Sequence, residues 1–220
     1  GRYLDEKSYR WKPRMVRVAI SVEGATEERF SELVLKPYLE QKNIFITPIN
    51  MRGNINLRRV KREIEILTRS FDFVTTFYDF YGFKGKEQQE TKDTLESKMT
   101  QDINIDIVKK VIPYVQMYEF EGLIFSNPSI LSSELIHKDK NLSVEDWANN
   151  ILVDFENNPE KINNSEQTAP SKRLLKYTNY TKTTHGPNIA YKIGLAEIRE
   201  KCKGFDKRIK KIENLVENRQ

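Results

Sequence analysis

Four short runs of β-branched and aromatic residues, separated by helix-patterned or polar segments, constrain the fold of this chain most strongly. The runs are VRVAISV at 16–22, IFITPI at 44–49, FVTTFY at 73–78 and PYVQMY at 113–118. Runs of this kind predict strands, and their alternation with helices is typical of a mainly parallel sheet covered by helices. The sequence therefore predicts an α/β fold. Because Pro48 cannot donate to a β-ladder, the second run is expected to be an edge strand.

Helical periodicity fills two of the segments between these runs. From Thr26, a predicted helix cap, to Leu39 the apolar residues follow helical spacing until Pro37 disturbs the last turn. Residues 56–70 carry a single apolar stripe and are predicted to form an amphipathic helix. The polar stretch at 85–99 predicts a mobile loop with a short helix.

The pattern changes after about residue 129, where strand signals give way to helical ones. Three helices are predicted at 143–156, 188–201 and 204–218, separated by connections rich in Asn, Pro and Gly. We therefore expect three parts: an N-terminal extension at 1–14, an α/β domain at 15–128, and a helical C-terminal extension at 129–220 that packs on the same domain.

Composition narrows the class of protein. The 220 residues include ten Tyr and eleven Phe, enough to build a core without disulfides. One cysteine, Cys202, and two histidines argue against a disulfide or a Cys/His zinc site, and Cys202 is expected to be a small buried or half-buried side chain. No stretch approaches the roughly 18 apolar residues of a membrane span, and the charged N-terminus has no signal-peptide pattern. A cytoplasmic location without membrane contact is the expectation.

Positive charge is concentrated near the C-terminus. Overall, 37 Lys and Arg stand against 32 Asp and Glu, a net charge of +5. Residues 161–220 hold 14 basic and 6 acidic residues, a surplus of +8, whereas residues 1–160 carry 23 basic and 26 acidic residues, or −3. This asymmetry indicates a polyanion-binding surface beside an acidic site, with a solvated basic face as the alternative. The chain has no GxxxxGK[ST] loop, so it is not expected to hydrolyse ATP itself.

Acidic residues stand at the ends of three predicted strands: Glu23, Asp79, and Glu119 together with Glu121. Because the carboxyl ends of parallel strands meet at one edge of a sheet, we expect these side chains to converge. Converging carboxylates repel one another, and a hard divalent cation such as Mg²⁺ or Mn²⁺ relieves that repulsion. Such a site suits phosphoryl transfer. The alternative is that each acid only caps the turn that follows its strand.

The strand-Glu-Gly pattern at 16–24 and the strand-Asp pattern at 73–79 resemble the Toprim domain of topoisomerases, primases and overcoming-lysogenization-defect nucleases. From about residue 15 onward the chain resembles more closely one Toprim-like bacterial family, known only as domain of unknown function 4276. The stretches that carry this resemblance are VEGATEE at 22–28, RRVKREI at 58–64, TTFYDFYGF at 75–83, PYVQMYEFEGLIFSNP at 113–128, TAPSKR at 168–173, HGPNIA at 185–190 and IGLAEIREKCKGFD at 193–206.

The resemblance implies a Toprim-like Rossmannoid fold and a nuclease that cleaves DNA or RNA with Mg²⁺ or Mn²⁺. It also implies an ABC- or SMC-like ATPase partner and a role in anti-phage defence. Glu23 would bind metal or act as general base, Asp79 would bind metal, and Glu119 and Glu121 would complete the coordination. One position departs from the general Toprim pattern of Asp-x-Asp, because Tyr81 follows Asp79 two positions later. A tyrosine is no ordinary Mg²⁺ ligand, so the missing charge is expected from Glu119 or Glu121.

Basic residues after Pro170 are the candidate phosphate contacts. Ser171 can cap a helix, which would point Lys172 and Arg173 at a phosphate. The resemblance implies a lysine near the metal that steadies the scissile phosphate, and Lys172 is the candidate for this catalytic role. His185 is the third candidate nucleic-acid contact. The alternatives are a solvated basic turn and a structural histidine.

Three hypotheses for function follow. The leading one is a divalent-metal-dependent nuclease that acts with an ATPase partner. The second is a non-catalytic nucleic-acid-binding or regulatory subunit that kept the fold and lost one acid, namely the one replaced by Tyr81. The third, phosphate-acceptor chemistry at Asp79, is weaker because no acidic pair follows the first strand. Tyr81 itself is expected to pack or to orient a ligand, not to act as a nucleophile.

Overall fold

The computed structural model describes residues 14–163 and 165–217 of the chain. Its sheet has five strands, all paired in parallel, in the order β2-β1-β3-β4 with β5 also paired to β3. The strands are β1 (Val16–Val22), β2 (Ile44–Asn50), β3 (Phe73–Asp79), β4 (Val111–Ile112) and β5 (Val115–Gln116). The predicted fold class, a parallel sheet covered by helices with a helical C-terminal part, is confirmed. The second strand lies at an edge, as the missing N–H of Pro48 requires.

The helices of the first half cover the sheet, and those of the second half follow it along the chain. They are α1 (Ala25–Phe30), α2 (Lys36–Glu40), α3 (Leu57–Leu67), α4 (Lys92–Thr100), α5 (Ile105–Val108), α6 (Pro128–Glu134), α7 (Val144–Asp154), α8 (Pro170–Tyr177), α9 (Lys182–Ile193), α10 (Leu195–Lys201) and α11 (Lys203–Glu213). A π-helical segment, Ser31–Leu35, joins α1 to α2. It lies just before Pro37, whose missing N–H and bulky ring disturb an α-helical ladder. A short 3₁₀ helix, Phe120–Ser126, follows β5.

The predicted fourth strand at 113–118 is wrong in its extent. The structure has two two-residue strands instead, on either side of Pro113. Because proline has no N–H, it interrupts the ladder. The Thr76 hydroxyl bridges the gap: it accepts a hydrogen bond from Tyr114 N and lies within bonding distance of Tyr114 O, each at 2.8 Å.

Two predicted helix boundaries near the C-terminus are also wrong. The helix predicted at 188–201 is two helices, α9 and α10, and Pro187 lies inside α9. They are separated by Gly194, whose φ of +87° lies in a region that favours glycine. The helix predicted at 204–218 ends at Glu213, and residue 218 lies outside the described residues. The extension predicted at 1–14 lies outside them as well, except for its last residue.

Apolar side chains pack on both faces of the sheet, because successive strand residues point to opposite sides. Val18 and Ile20 of β1 belong to a buried cluster that also contains Phe205 from α11. Ala19 belongs to the cluster on the other face, which includes Ile64 of α3. The C-terminal helices therefore share a core with the first strand. Across the described ranges, no helix combines the length and the apolar character that crossing a membrane requires.

Candidate metal centre

The pairing of two neighbouring strands brings the first two acids together. Glu23 follows β1 directly, and its backbone N–H donates to Phe77 O of β3 at 3.3 Å. The Glu23 carboxylate in turn accepts a hydrogen bond from the Asp79 backbone N–H at 3.1 Å. Because β1 and β3 are parallel, both acids lie at the carboxyl edge of the sheet.

Gly82 leaves the space that the Glu23 carboxylate occupies. A Cβ atom added at Gly82 would lie 2.2 Å from Oε1 and 2.5 Å from Oε2 of Glu23. Real Cβ atoms do not approach other atoms so closely, so any side chain at position 82 must displace this carboxylate. The turn after β3 therefore fixes where Glu23 points.

Two further acids come from the 3₁₀ helix and the residue before it. The backbone N–H of Phe120 donates to Asp79 Oδ1 at 2.9 Å, which ties this segment to the end of β3. Glu119 accepts two hydrogen bonds from Ser171, one from the backbone N–H at 2.8 Å and one from the hydroxyl at 2.9 Å. Glu121 accepts a hydrogen bond from the Tyr180 hydroxyl at 3.2 Å.

Glu23, Asp79 and Glu121 line a cavity of about 250 Å³, which Glu119 does not line, and sequence reasoning missed two of the other lining residues. Glu27, in the first turn of α1, accepts a hydrogen bond from the Gly24 backbone N–H at 3.2 Å and is buried. Lys182 is the first residue of α9 and also lines the cavity. The signal for Glu27 was present in the VEGATEE stretch, four residues after Glu23. Lys182 had no such signal, because its position depends on how α9 packs against α1. The acids of this cavity are Glu23, Glu27, Asp79 and Glu121.

Burial and mutual repulsion raise the pKa values of these carboxyls. Burial, and then the charges of Glu27 and Glu23, hold the pKa of Asp79 well above its ordinary value. Burial and then the charge of Glu23 raise the pKa of Glu27 to about 7. Burial also raises the pKa values of Glu23 and Glu121, although Lys182 opposes this in both cases. Ionising all of these carboxyls would therefore place more negative charge in the cavity than its surroundings compensate.

Lys182 is the basic residue that faces this negative charge from within the cavity wall. Partial burial would lower its pKa, but the charges of Glu121, Glu119 and Asp79 outweigh burial and raise it. Lys182 is therefore a firmly protonated cation beside the acids. The charge of Lys86 also lowers the pKa of Glu23, but two ammonium groups cannot neutralise four ionised carboxyls.

The donor set fits a hard divalent cation, although the side chains are not arranged as a ready-made cage. Across the described residues, no three Asp, Glu, His or Cys side chains are grouped so that they could hold a metal ion as they stand. Each acid is instead oriented by a separate hydrogen bond; the Glu23 carboxylate, for example, accepts one from the Asp79 backbone N–H. Carboxylate oxygens with uncompensated charge are what Mg²⁺ and Mn²⁺ prefer. Glu23, Asp79 and Glu121 are the residues that could hold such a cation, which would require their side chains to change orientation.

The predicted phosphate contacts lie away from this cavity wall. Lys172 is exposed on α8, and Arg173 donates from Nε to Thr168 O at 2.5 Å with its guanidinium 5.4 Å from the Phe155 ring centre. His185 accepts a hydrogen bond at Nδ1 from the Thr181 backbone N–H at 2.9 Å, which is the arrangement of a structural histidine. Their assignment as nucleic-acid contacts stays a prediction. In α8, the residue that contacts the acidic centre is Ser171, whose hydroxyl donates a hydrogen bond to Glu119.

Part of the C-terminal basic surplus is used inside the molecule. Arg208 is buried, donates to Thr76 O at 3.1 Å and lies 4.9 Å from the ring centre of Phe77. Arg199 pairs with Asp206 and with Glu213, each at 2.6 Å. These two arginines are therefore not available to track a polyanion.

Two further readings of single residues are confirmed. Cys202 is fully buried, and burial raises the pKa of its thiol to about 12, so the thiol stays neutral. Tyr81 packs on Tyr118 in a stacked pair with ring centres 5.5 Å apart. Burial and the neighbouring Tyr118 raise the pKa of Tyr81 to about 12, which argues against a phenolate nucleophile.

The fold and this cavity define an α/β protein with an acidic centre at the carboxyl edge of a parallel sheet. The chain belongs to the family described as "Domain of unknown function (DUF4276)", whose model matches residues 22–213. The family resemblance seen in the sequence is thereby confirmed. A comparison with curated proteins found no match. Among solved structures, the C-terminal region of the Burkholderia pseudomallei OLD protein is similar over 92% of this chain and 100% of that chain, with 14% identity and a TM-score of 0.49.

Proposed function

We propose that this chain is a divalent-metal-dependent nuclease that hydrolyses phosphodiester bonds in DNA or RNA. One observation carries the proposal: buried carboxylates with raised pKa values line a cavity of about 250 Å³ that a single lysine also lines. Ionising these buried carboxyls without compensation is costly to a fold unless a cation binds there. Catalytic sites are where such perturbed groups concentrate.

The acids would bind the cation and fix its position. Glu23, Asp79 and Glu121 are the proposed ligands. Glu119, which accepts a hydrogen bond from the Ser171 hydroxyl, would add negative charge beside them. A bound Mg²⁺ or Mn²⁺ would supply Lewis-acid activation and neutralise charge on the scissile phosphate. The turn around Gly82 keeps Glu23 aimed at this point.

Lys182 would contact the substrate. As a protonated ammonium group in the cavity wall, it can donate to a non-bridging phosphate oxygen. Negative charge on that oxygen grows in the transition state, so a fixed cation there lowers the barrier. We assign to Lys182 the role that the sequence assigned to Lys172.

Glu27 would accept the proton of the attacking water. Its pKa of about 7 lies near neutral pH, where a general base combines availability with basicity. The hydrogen bond from Gly24 holds its carboxylate in the cavity. Glu23, the base considered from the sequence, is committed to the Asp79 backbone and fits the metal-ligand role better.

A non-catalytic nucleic-acid-binding or regulatory module is the second candidate. Two observations favour it: Tyr81 occupies the position of the second Asp in the general Toprim pattern, and no ready-made cage of three metal-binding side chains exists in the described part of the chain. Such a module would keep the fold and bind without cleaving.

The resemblance to the Toprim-like family supports a wider setting for this activity. We propose an ABC- or SMC-like ATPase as partner, a role in anti-phage defence and a cytoplasmic location. The chain's missing phosphate-binding loop is consistent with a separate ATPase subunit.

Cleavage assays with charge-removing variants test this function. Glu23→Gln and Asp79→Asn preserve shape and remove negative charge, so each should lower cleavage of DNA or RNA by about 10²-fold or more, the scale on which loss of a charge-stabilising group acts. Glu32→Gln is the matched control, because Glu32 is an exposed acid on the helix that follows β1. Assays need Mg²⁺ and Mn²⁺ in turn, with the chain alone and with its ATPase partner. Full cleavage by both carboxylate variants would contradict the mechanism, and a wild-type complex that cleaves neither DNA nor RNA would favour the binding module.

A further inference from the structure

A second cavity, separate from the acidic centre, lies between α7, α8 and the segment that precedes α7. Its volume is about 670 Å³, within the range of small-molecule sites. None of its lining residues belongs to the carboxylate cavity. Its lining combines three elements that rarely meet by chance: an aromatic wall, a buried N–H donor and two cationic side chains.

The aromatic wall is made by His137, Trp147 and Tyr177. The rings of His137 and Tyr177 are stacked, with centres 6.1 Å apart and planes 19° apart. Trp147 packs against both, with ring centres 5.9 Å from His137 and 6.0 Å from Tyr177. Tyr177 remains 38% exposed, so part of this wall is open to a planar ligand.

The buried donor is Nε2 of His137. Nδ1 of His137 lies 3.2 Å from Asp139 O and 3.0 Å from Asp139 N, whose N–H points at it. Because a proton on Nδ1 would meet that N–H, we assign Nδ1 as the acceptor and place the ring proton of the neutral form on Nε2. His137 is only 7% exposed, and within residues 14–163 and 165–217 its Nε2 has no hydrogen-bond partner. Leaving a buried donor unpaired costs about 1–3 kcal/mol. A ligand acceptor would recover that energy.

Two cations and one acid add charge to the lining. Arg173 uses Nε to bind Thr168 O, and a guanidinium has five N–H donors in all. Lys138 donates to Leu175 O at 2.7 Å. With Asp139 as the acid, the lining carries two positive charges and one negative charge, a surplus of +1.

We propose that this cavity binds a mononucleotide. The base would stack on Tyr177 in place of the exposed Lys176 ammonium, which lies 5.0 Å from the ring centre. An acceptor atom of the ligand would pair with Nε2–H of His137, and the phosphate would contact Arg173 and Lys138. A ring-bearing anion satisfies all three features of the lining, whereas an apolar ligand leaves the donor and the charge unpaired. The site is independent of the proposed nuclease function, since it shares no residue with the acidic centre.

Trp147 provides a direct readout of binding. The sequence has two tryptophans, Trp11 and Trp147, so the full chain with Trp11→Phe reports on this cavity alone. AMP, GMP, CMP and UMP are titrated in EDTA, which keeps metal out of the acidic centre. We expect saturable quenching of Trp147 by at least one nucleotide, with a dissociation constant below about 1 mM. No quenching by any of the four nucleotides at several millimolar would overturn the proposal.

Variants and ligand fragments test the three features separately. His137→Asn keeps an acceptor near Asp139 N and removes the Nε2 donor, and Arg173→Gln removes a charge. Each should weaken binding by about fivefold or more, the value of one hydrogen bond. Lys140→Gln is the matched control, because Lys140 is exposed in the same segment and does not line the cavity. Nucleoside and ribose 5-phosphate should each bind more weakly than the nucleotide by at least about fivefold. Equal binding by ribose 5-phosphate, or unchanged affinity in both variants, would contradict the assignment.

Discussion

Glu27 is the acidic residue whose pKa folding moves to near neutral pH. Burial, then the charges of Glu23 and Glu121, raise its pKa from 4.5 to about 7. A raised carboxyl pKa means that the folded state binds more protons than the unfolded state between these two values, so the free energy of unfolding falls as pH rises. Burial raises the pKa values of Glu23, Asp79 and Glu121 as well, which adds to the same trend.

The metal-free protein should therefore be more stable at pH 5 than at pH 8. The difference is expected to be on the order of a few kcal/mol, and each kcal/mol corresponds to about 2–4 °C in melting temperature for a chain of this size. Glu27→Gln should reduce the difference, because the amide does not titrate and can still accept from Gly24. Thermal melts in EDTA at both pH values measure it. A wild-type protein that is equally or more stable at pH 8 would contradict the charge accumulation described here.

The structure and the sequence assign the role of phosphate contact at the acidic centre to different lysines, Lys182 and Lys172. Lys182 lines the cavity, and Lys172 is exposed on α8. Lys182→Gln should lower kcat for cleavage by about 10²-fold, since it removes a fixed charge at the phosphate. Lys172→Gln should stay within about threefold, the range of a screened surface charge. A larger effect of Lys172→Gln would show that the sequence assignment was the better one.

Glu23 and Asp79 could be found from the sequence because the ends of β1 and β3 follow from local periodicity, whereas Glu119 and Glu121, predicted at the end of a fourth strand, lie at the start of a 3₁₀ helix instead. Strands in parallel share an edge, so residues that end them can be placed together without knowing any helix.

Glu27 and Lys182 could not be assigned in this way. Their roles depend on the packing of α1 against α9, two helices more than 150 positions apart in the sequence. Ser171 was predicted to cap a helix, which is wrong because Ala169 is at the N-cap of α8. The bond of Ser171 to Glu119 joins α8 to the residue before the 3₁₀ helix and depends on another long-range contact.

At the scale of elements, the turn after β3 controls the geometry of the acidic centre. Gly82→Ala would place a Cβ within 2.6 Å of the Glu23 carboxylate. Because that carboxylate is the far end of a flexible side chain, it can swing away at little cost to the fold. We therefore expect loss of metal binding and cleavage by about tenfold or more, comparable to disturbing the support of a metal ligand, with a nearly unchanged melting temperature.

Gly24→Ala is the comparison variant for this prediction. Gly24 borders the same cavity, but a Cβ there would lie 3.7 Å from Glu27 Oε2, an ordinary contact, and its backbone is extended. Metal binding and the melting temperature should both stay close to wild type. Isothermal titration with Mn²⁺ and thermal melts of the two variants give the answer. Equal behaviour of Gly82→Ala and Gly24→Ala would mean that Gly82 does not position Glu23.

Proline explains where element boundaries departed from expectation. Pro113 divides the predicted fourth strand because it cannot donate to the ladder. The helix predicted to start at residue 188, just after Pro187, begins six residues earlier, because α9 starts at Lys182. This boundary matters because it places Lys182 in the first turn of α9, beside the cavity. The π-helical segment before Pro37 likewise has no signature in the periodicity of residues 26–39.

At the scale of the whole molecule, distant parts of the sequence build one site. Residues up to Glu121 supply the acids, and residues after 170 supply Ser171, Tyr180 and Lys182, which orient or balance them. The shared core, in which Phe205 of α11 packs on Phe30 and Phe77, holds these parts together. The fold class followed from the order of strands and helices. The completed site did not, because it depends on how the C-terminal helices return to the sheet.

Binding of Mn²⁺ to the metal-free chain tests the central claim most directly, because it needs neither a substrate nor a partner. Isothermal titration and electron paramagnetic resonance should show Mn²⁺ binding at pH 8, weakened by about tenfold or more in Glu23→Gln and in Asp79→Asn, since a site of few carboxylates depends on each one. The control Glu32→Gln should bind like wild type. Binding should also raise the melting temperature at pH 8 more than at pH 5, because protonated carboxyls are poor ligands. A wild-type chain that binds no Mn²⁺ at millimolar concentration, or an Asp79→Asn variant that binds as tightly as wild type, would contradict a metal centre at this edge of the sheet.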